Sequence, residues 1–116
     1  MIKLIKDILT NFQGDKTNNT DYIDLIAYIM AFFSNFVHDN RKNREYFVLK
    51  GGVSLTSKFI DKNFPIFYSN NKLIIACSSV LANTAVSNDN KIMLWVQGAI
   101  PNLINIVRDA VYAQSP

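Results

Sequence analysis

The chain is short of the residues from which reactive sites are usually built. A single cysteine, Cys77, excludes an intramolecular disulfide and any zinc site made from several cysteines. It lies in the apolar run Leu73-Ile74-Ile75-Ala76-Cys77, with no charged neighbour in sequence to lower its pKa, and reads as a buried structural thiol. One histidine, His38, supplies too few nitrogen ligands for a metal. Asp39 follows it, but neighbours on a turn are not expected to face each other, and no Ser or Cys has the spacing to join them as a nucleophile. The chain is therefore read as no enzyme, with no cofactor and no metal. Gly51-Gly52 lacks both the GxxxxGK[ST] context and the preceding strand of a phosphate loop.

Long apolar runs are missing as well. The longest, Ile23 to Val37, contains Asp24 and Asn35 and falls short of the ~20 residues that span a bilayer. The N-terminal run is broken by Lys3, Lys6 and Asp7 and fails as a signal-peptide core. With the lone cysteine, these absences predict a soluble cytoplasmic protein, a nuclear location being compatible. The formal charge of +3 is mild, which argues against nucleic acid as the main partner, because such proteins concentrate more charge on one face.

What is present is helical periodicity. No segment alternates with period two, so the predicted class is all-α. Apolar residues at Ile2, Ile5, Leu9 and Phe12 predict a first helix over Met1 to Phe12. A second is predicted from Asp21 to Val37, apolar nearly all round and so packed on more than one side. Asn43 to Lys50 and Val53 to Ile60 form shorter helices around Gly51-Gly52. Asp61 to Asn71, interrupted by Pro65, reads as an irregular stretch that packs down through its aromatic residues. Lys72 to Val86 is the second long helix and Asp89 to Gln97 a short one, with Trp95 read as a core or inter-repeat contact. Ile100 to Tyr112 follows, with Pro101 in the first turn, where a missing N–H is tolerated, and Ile100, Leu103, Ile104, Val107, Ala110 and Val111 on one stripe.

The order long helix, polar turn, short helix, glycine, amphipathic helix occurs twice. Asn35 and Asn83 lie 48 positions apart, and Gly51 and Gly98 lie 47 apart. Helical repeats of roughly 40–47 residues form solenoids. Gly98-Ala99-Ile100-Pro101-Asn102-Leu103-Ile104-Asn105-Ile106-Val107, preceded by Asn90-Lys91-Ile92 and Val96, closely resembles the armadillo signature between first and second helices. Leu81-Ala82-Asn83-Thr84-Ala85 resembles the end of its third helix. Upstream, Phe33-Ser34-Asn35-Phe36-Val37, Asn43, Leu49 and Gly51-Gly52-Val53 match, whereas Thr56 stands where the family has Leu.

The resemblance to armadillo repeats implies a right-handed α–α superhelix. Residues 1–116 would be one armadillo-like domain: a partial repeat over 1–37, a complete one over 41–86 and a partial one over 89–112. It implies a fragment of a longer solenoid, able to self-associate through its exposed ends. It also implies a non-catalytic scaffold whose concave third-helix groove takes a protein or peptide partner. Asn35, Asn83, Tyr28, Ser79 and Lys72 are the groove residues; helical spacing adds Asp39 to the Tyr28 face and Ser87 to the Asn83 face. One turn before the two asparagines stand Ala31 and Ser79, where peptide-binding members carry Trp. The alternative is binding of nucleic acid or anionic lipid through the basic cluster Arg41, Lys42, Arg44 and Lys50.

Overall fold

Asparagine side chains decide where two of the helices begin. Asn40 Oδ1 accepts a hydrogen bond from the Asn43 amide and Asn70 Oδ1 from that of Leu73, both at 3.0 Å. Each side chain satisfies an N–H that a first helical turn otherwise leaves unpaired. A computed structural model describes residues 20–113, together with Lys3 and Asp7. Its helices are α1 (Thr20–Val37), α2 (Arg41–Leu49), α3 (Gly52–Phe59), α4 (Pro65–Tyr68), α5 (Asn71–Thr84), α6 (Asn88–Val96) and α7 (Ala99–Ala113). No strand occurs among the described residues. The helix expected over Met1 to Phe12 lies outside them, apart from Lys3 and Asp7.

The boundaries correct the sequence in two places. The helix expected from Asn43 starts at Arg41, because Asn40 caps it. The stretch expected to be irregular contains one helical turn, α4, with Pro65 at its start. It does pack down: Phe67 is buried and meets the Phe59 ring edge-on, with centroids 5.2 Å apart.

The two long helices, α1 and α5, lie against each other, and α7 lies against α3. Between them Met30, Val37, Phe47, Val53, Phe59, Ile60, Leu73, Cys77 and Val80 are wholly buried. Burial of this kind is worth about 1.5–3 kcal/mol for each large side chain. Thr56, the odd polar residue of the first copy, is also fully buried, and its hydroxyl donates to the Gly52 carbonyl at 2.6 Å.

Local bonding repeats along the chain. Asn43 Nδ2 donates to the Phe36 carbonyl at 2.8 Å, and Asn90 Nδ2 donates to the Thr84 carbonyl at 3.2 Å. In both copies an asparagine in the short helix closes the end of the preceding long helix, whose last carbonyls lack helical partners. Gly51 and Gly98, with φ of 85° and 82°, make the same left-handed turn into the next helix.

Three expectations about burial are corrected. α1 buries one broad stripe rather than its whole circumference: Ile23, Ile26, Met30 and Phe33 are buried, whereas Leu25, Tyr28 and Phe32 are exposed. On α7, Ile100, Leu103 and Ile106 are the residues packed on the core, and Ile104, Val107 and Val111 are exposed. Trp95 is 61% exposed, which excludes the core contact of its two readings. Hydropathy records which residues could be buried; the number of neighbouring helices decides which are.

Candidate functional site

The contact of α1 with α5 leaves a cleft of about 490 Å³ along one side. Its walls include the small residues Ala27 and Ala31 from α1 and Ala76 from α5. Tyr28 and Ile75, 69% and 70% exposed, line it as its two large apolar side chains.

Four of the five residues expected in a groove line this cleft: Tyr28, Asn35, Ser79 and Lys72. Helical spacing accounts for this, because Tyr28 and Asn35 lie seven residues apart on α1, and Lys72 and Ser79 seven apart on α5. The Asn35 side chain is exposed and makes no hydrogen bond among the described residues.

Asn83 is placed differently. It lies one turn beyond Ser79, and its Nδ2 donates to the Ser34 carbonyl at 3.1 Å and to Ser34 Oγ at 3.0 Å. Ser34 Oγ also shares a hydrogen bond with Ser79 Oγ. Asn83 thus ties α5 to α1, with its Oδ1 left without a protein donor among the described residues.

Two further residues placed on these faces by spacing are absent from the cleft. α1 ends at Val37, and Asp39, with φ of 51°, turns the chain away. Ser87 stands at the N-terminus of α6. Asp24 and Ile75 do line the cleft, although neither was singled out. Asp24 stands one turn before Tyr28, and Ile75 stands between Lys72 and Ser79, so the same helical spacing marks them. Asp24 receives Lys72 Nζ at 3.9 Å and Asn70 Nδ2 at 3.4 Å, which gives that end of the cleft a charge pair.

The four basic residues have different surroundings. Arg41 Nε reaches Glu45 Oε1 at 3.2 Å, and Lys50 Nζ lies 5.7 Å from the centre of the Tyr46 ring. Lys42 is exposed. Arg44 points inward: its side chain is bonded to Ser87 Oγ through Nε at 3.0 Å and to the Val37 carbonyl through Nη1 at 3.3 Å.

His38 and Asp39 correct a geometric expectation. The left-handed φ of Asp39 brings its Oδ2 to 3.6 Å from His38 Nδ1, although the two are adjacent on a turn. Both side chains are mostly exposed. Cys77 is wholly buried, and burial pushes its thiol pKa up. No helix among the described residues is long and apolar enough to cross a membrane. Compared with known proteins, the chain matches no family model, no curated protein and no solved structure.

Proposed function

We propose that the chain is an armadillo-like scaffold without catalytic activity, which holds an extended segment of a partner protein in the cleft between α1 and α5. The observation that carries this reading is the gathering of Tyr28, Asn35, Lys72 and Ser79 around one cleft. Tyr28 and Ile75 give an entering apolar side chain two surfaces to pack against. The Asn35 amide, with no hydrogen bond among the described residues, both donates to and accepts from a peptide backbone. Asn83 Oδ1 adds an acceptor one turn further along.

The repeated asparagine bonds and left-handed glycines support the armadillo part of the reading. α1 and α5 then correspond to third helices, α2 and α6 to first helices, and α3 and α7 to second helices. The pairing of Arg41 with Glu45 leaves the basic segment less unopposed charge for an extended polyanion.

Selection of binding peptides from a displayed random library, followed by affinity measurement at low and physiological salt, tests the proposal. Peptides that occupy the cleft should bind with little dependence on salt and lose about tenfold or more on Tyr28→Ala or Asn35→Ala. Affinity that collapses with salt and ignores both substitutions would move the site to the basic segment.

A further inference from the structure

Arg44 is the one described arginine or lysine whose side chain is buried, with 9% of its surface exposed. Among the described residues no carboxylate lies within ion-pairing distance of it, and its side chain has no interaction beyond its bonds to Ser87 Oγ and the Val37 carbonyl. A guanidinium carries five N–H donors, so three of them have no acceptor among the described residues. Nη2, which holds two of the three, is not sealed inside the protein. A buried cation without a counter-ion is strongly unfavourable, and buried charges are as a rule paired.

The guanidinium borders a second cleft, of about 410 Å³, lined by Arg41, Arg44, Glu45, Ser87, Asn88, Asp89 and Asn90. The N-terminus of α6 opens into it. Ser87 caps that helix by position only, because its hydroxyl is engaged by Arg44 rather than by an amide of the first turn. The Asn90 amide bonds to the Ser87 carbonyl, which leaves the Asn88 and Asp89 amides as the unpaired donors of the first turn. Those donors and the positive end of the helix dipole add to the field of Arg44. Glu45 opposes it weakly, being paired with Arg41; Asp89 opposes it more directly, as it has no ion-pair partner among the described residues.

We propose that this cleft binds one phosphate-sized oxyanion, which accepts hydrogen bonds from the free N–H groups of Arg44 and from the first turn of α6. The bound anion supplies the counter-charge that the protein lacks at Arg44. It also fastens α2 to α6, so that occupancy stiffens the junction between the two copies of the repeat. The site lies apart from the cleft between α1 and α5 and stands whether or not that cleft binds peptide.

Titration of the ¹⁵N-labelled chain with sodium phosphate, against sodium chloride at equal ionic strength, tests this by NMR. Saturable shifts should appear at the Asn88, Asp89 and Asn90 amides and at Arg44 Nε–H, with phosphate and not with chloride. Arg44→Gln should weaken half-saturation by about tenfold or more. Asp89→Asn, an exposed change that leaves Arg44 in place, should strengthen it, and this variant decides the matter if Arg44→Gln does not fold. Shifts that rise without saturation, match those in chloride, or are unchanged by Asp89→Asn would overturn the site.

Discussion

Asn83 Nδ2 donates to both the carbonyl and the hydroxyl of Ser34, 49 residues earlier, and so binds α5 to α1 beside the cleft that the two helices form. An asparagine that sequence pattern assigns to a partner is thus already engaged by the protein itself. The side chain of Asn35, its counterpart on α1, has no hydrogen bond among the described residues. The two should respond to substitution in opposite ways. Asn83→Ala is expected to lower stability by about 1–2 kcal/mol through the lost inter-helix bonds. Asn35→Ala is expected to leave stability within about 0.5 kcal/mol. Urea unfolding of the two variants measures the contrast, and equal losses would contradict it.

Gly52 begins α3 directly against Phe47. A Cβ at Gly52 would lie 2.5 Å from the ring of Phe47, which is itself wholly buried and cannot swing aside. Gly52→Ala should therefore destabilise by about 1–3 kcal/mol, as overpacking of a filled core does. A Cβ at Gly98 would meet nothing within 4 Å, so Gly98→Ala should suffer only the strain of its positive φ. Thermal unfolding that ranks Gly98→Ala as the worse of the two would show that backbone strain outweighs the clash.

Tyr68 and Asp109 join α4 to α7 through a phenol–carboxylate hydrogen bond. That bond, with some desolvation and the negative charge of Asp109, pushes the Tyr68 pKa up to about 12 from 10.0. The folded chain therefore keeps this proton where the unfolded chain loses it. The contribution to stability is complete below pH 10.0 and falls away as pH rises towards about 12. Denaturant midpoints measured from about pH 9 to about pH 11 should fall more steeply for the native chain than for Tyr68→Phe. Equal slopes would mean that the bond does not persist in solution.

Cys77 should be inert to thiol reagents while the protein is folded, because its side chain is wholly buried and burial disfavours the reactive thiolate. Labelling should follow global unfolding and accelerate in denaturant with the same midpoint as loss of helical signal. Rapid labelling under native conditions would place α5 in a locally open state.

Much of the fold was legible in the sequence because its signals are local. Gly51 and Gly98 mark two equivalent turns that need a left-handed residue, and seven-residue spacings on α1 and α5 gather Tyr28, Asn35, Lys72 and Ser79. What local pattern could not supply was the number of neighbours on each face. Trp95 and Val107 look like core residues by hydropathy, yet no described element covers them. Nor could it reveal that Asn83 meets Ser34, or that Arg44 turns from a basic run towards Ser87. Those contacts depend on how α1, α5 and α6 are brought together across more than forty residues of chain.

The cleft between α1 and α5 as the partner site is tested most directly by mapping a selected peptide on the protein by NMR. The account predicts that perturbations centre on Tyr28, Asn35, Ile75 and Ser79 and vanish in an Asn35→Ala, Tyr28→Ala double variant that retains its helical signal. Perturbations centred on Lys42 to Lys50, or undiminished in the double variant, would contradict it.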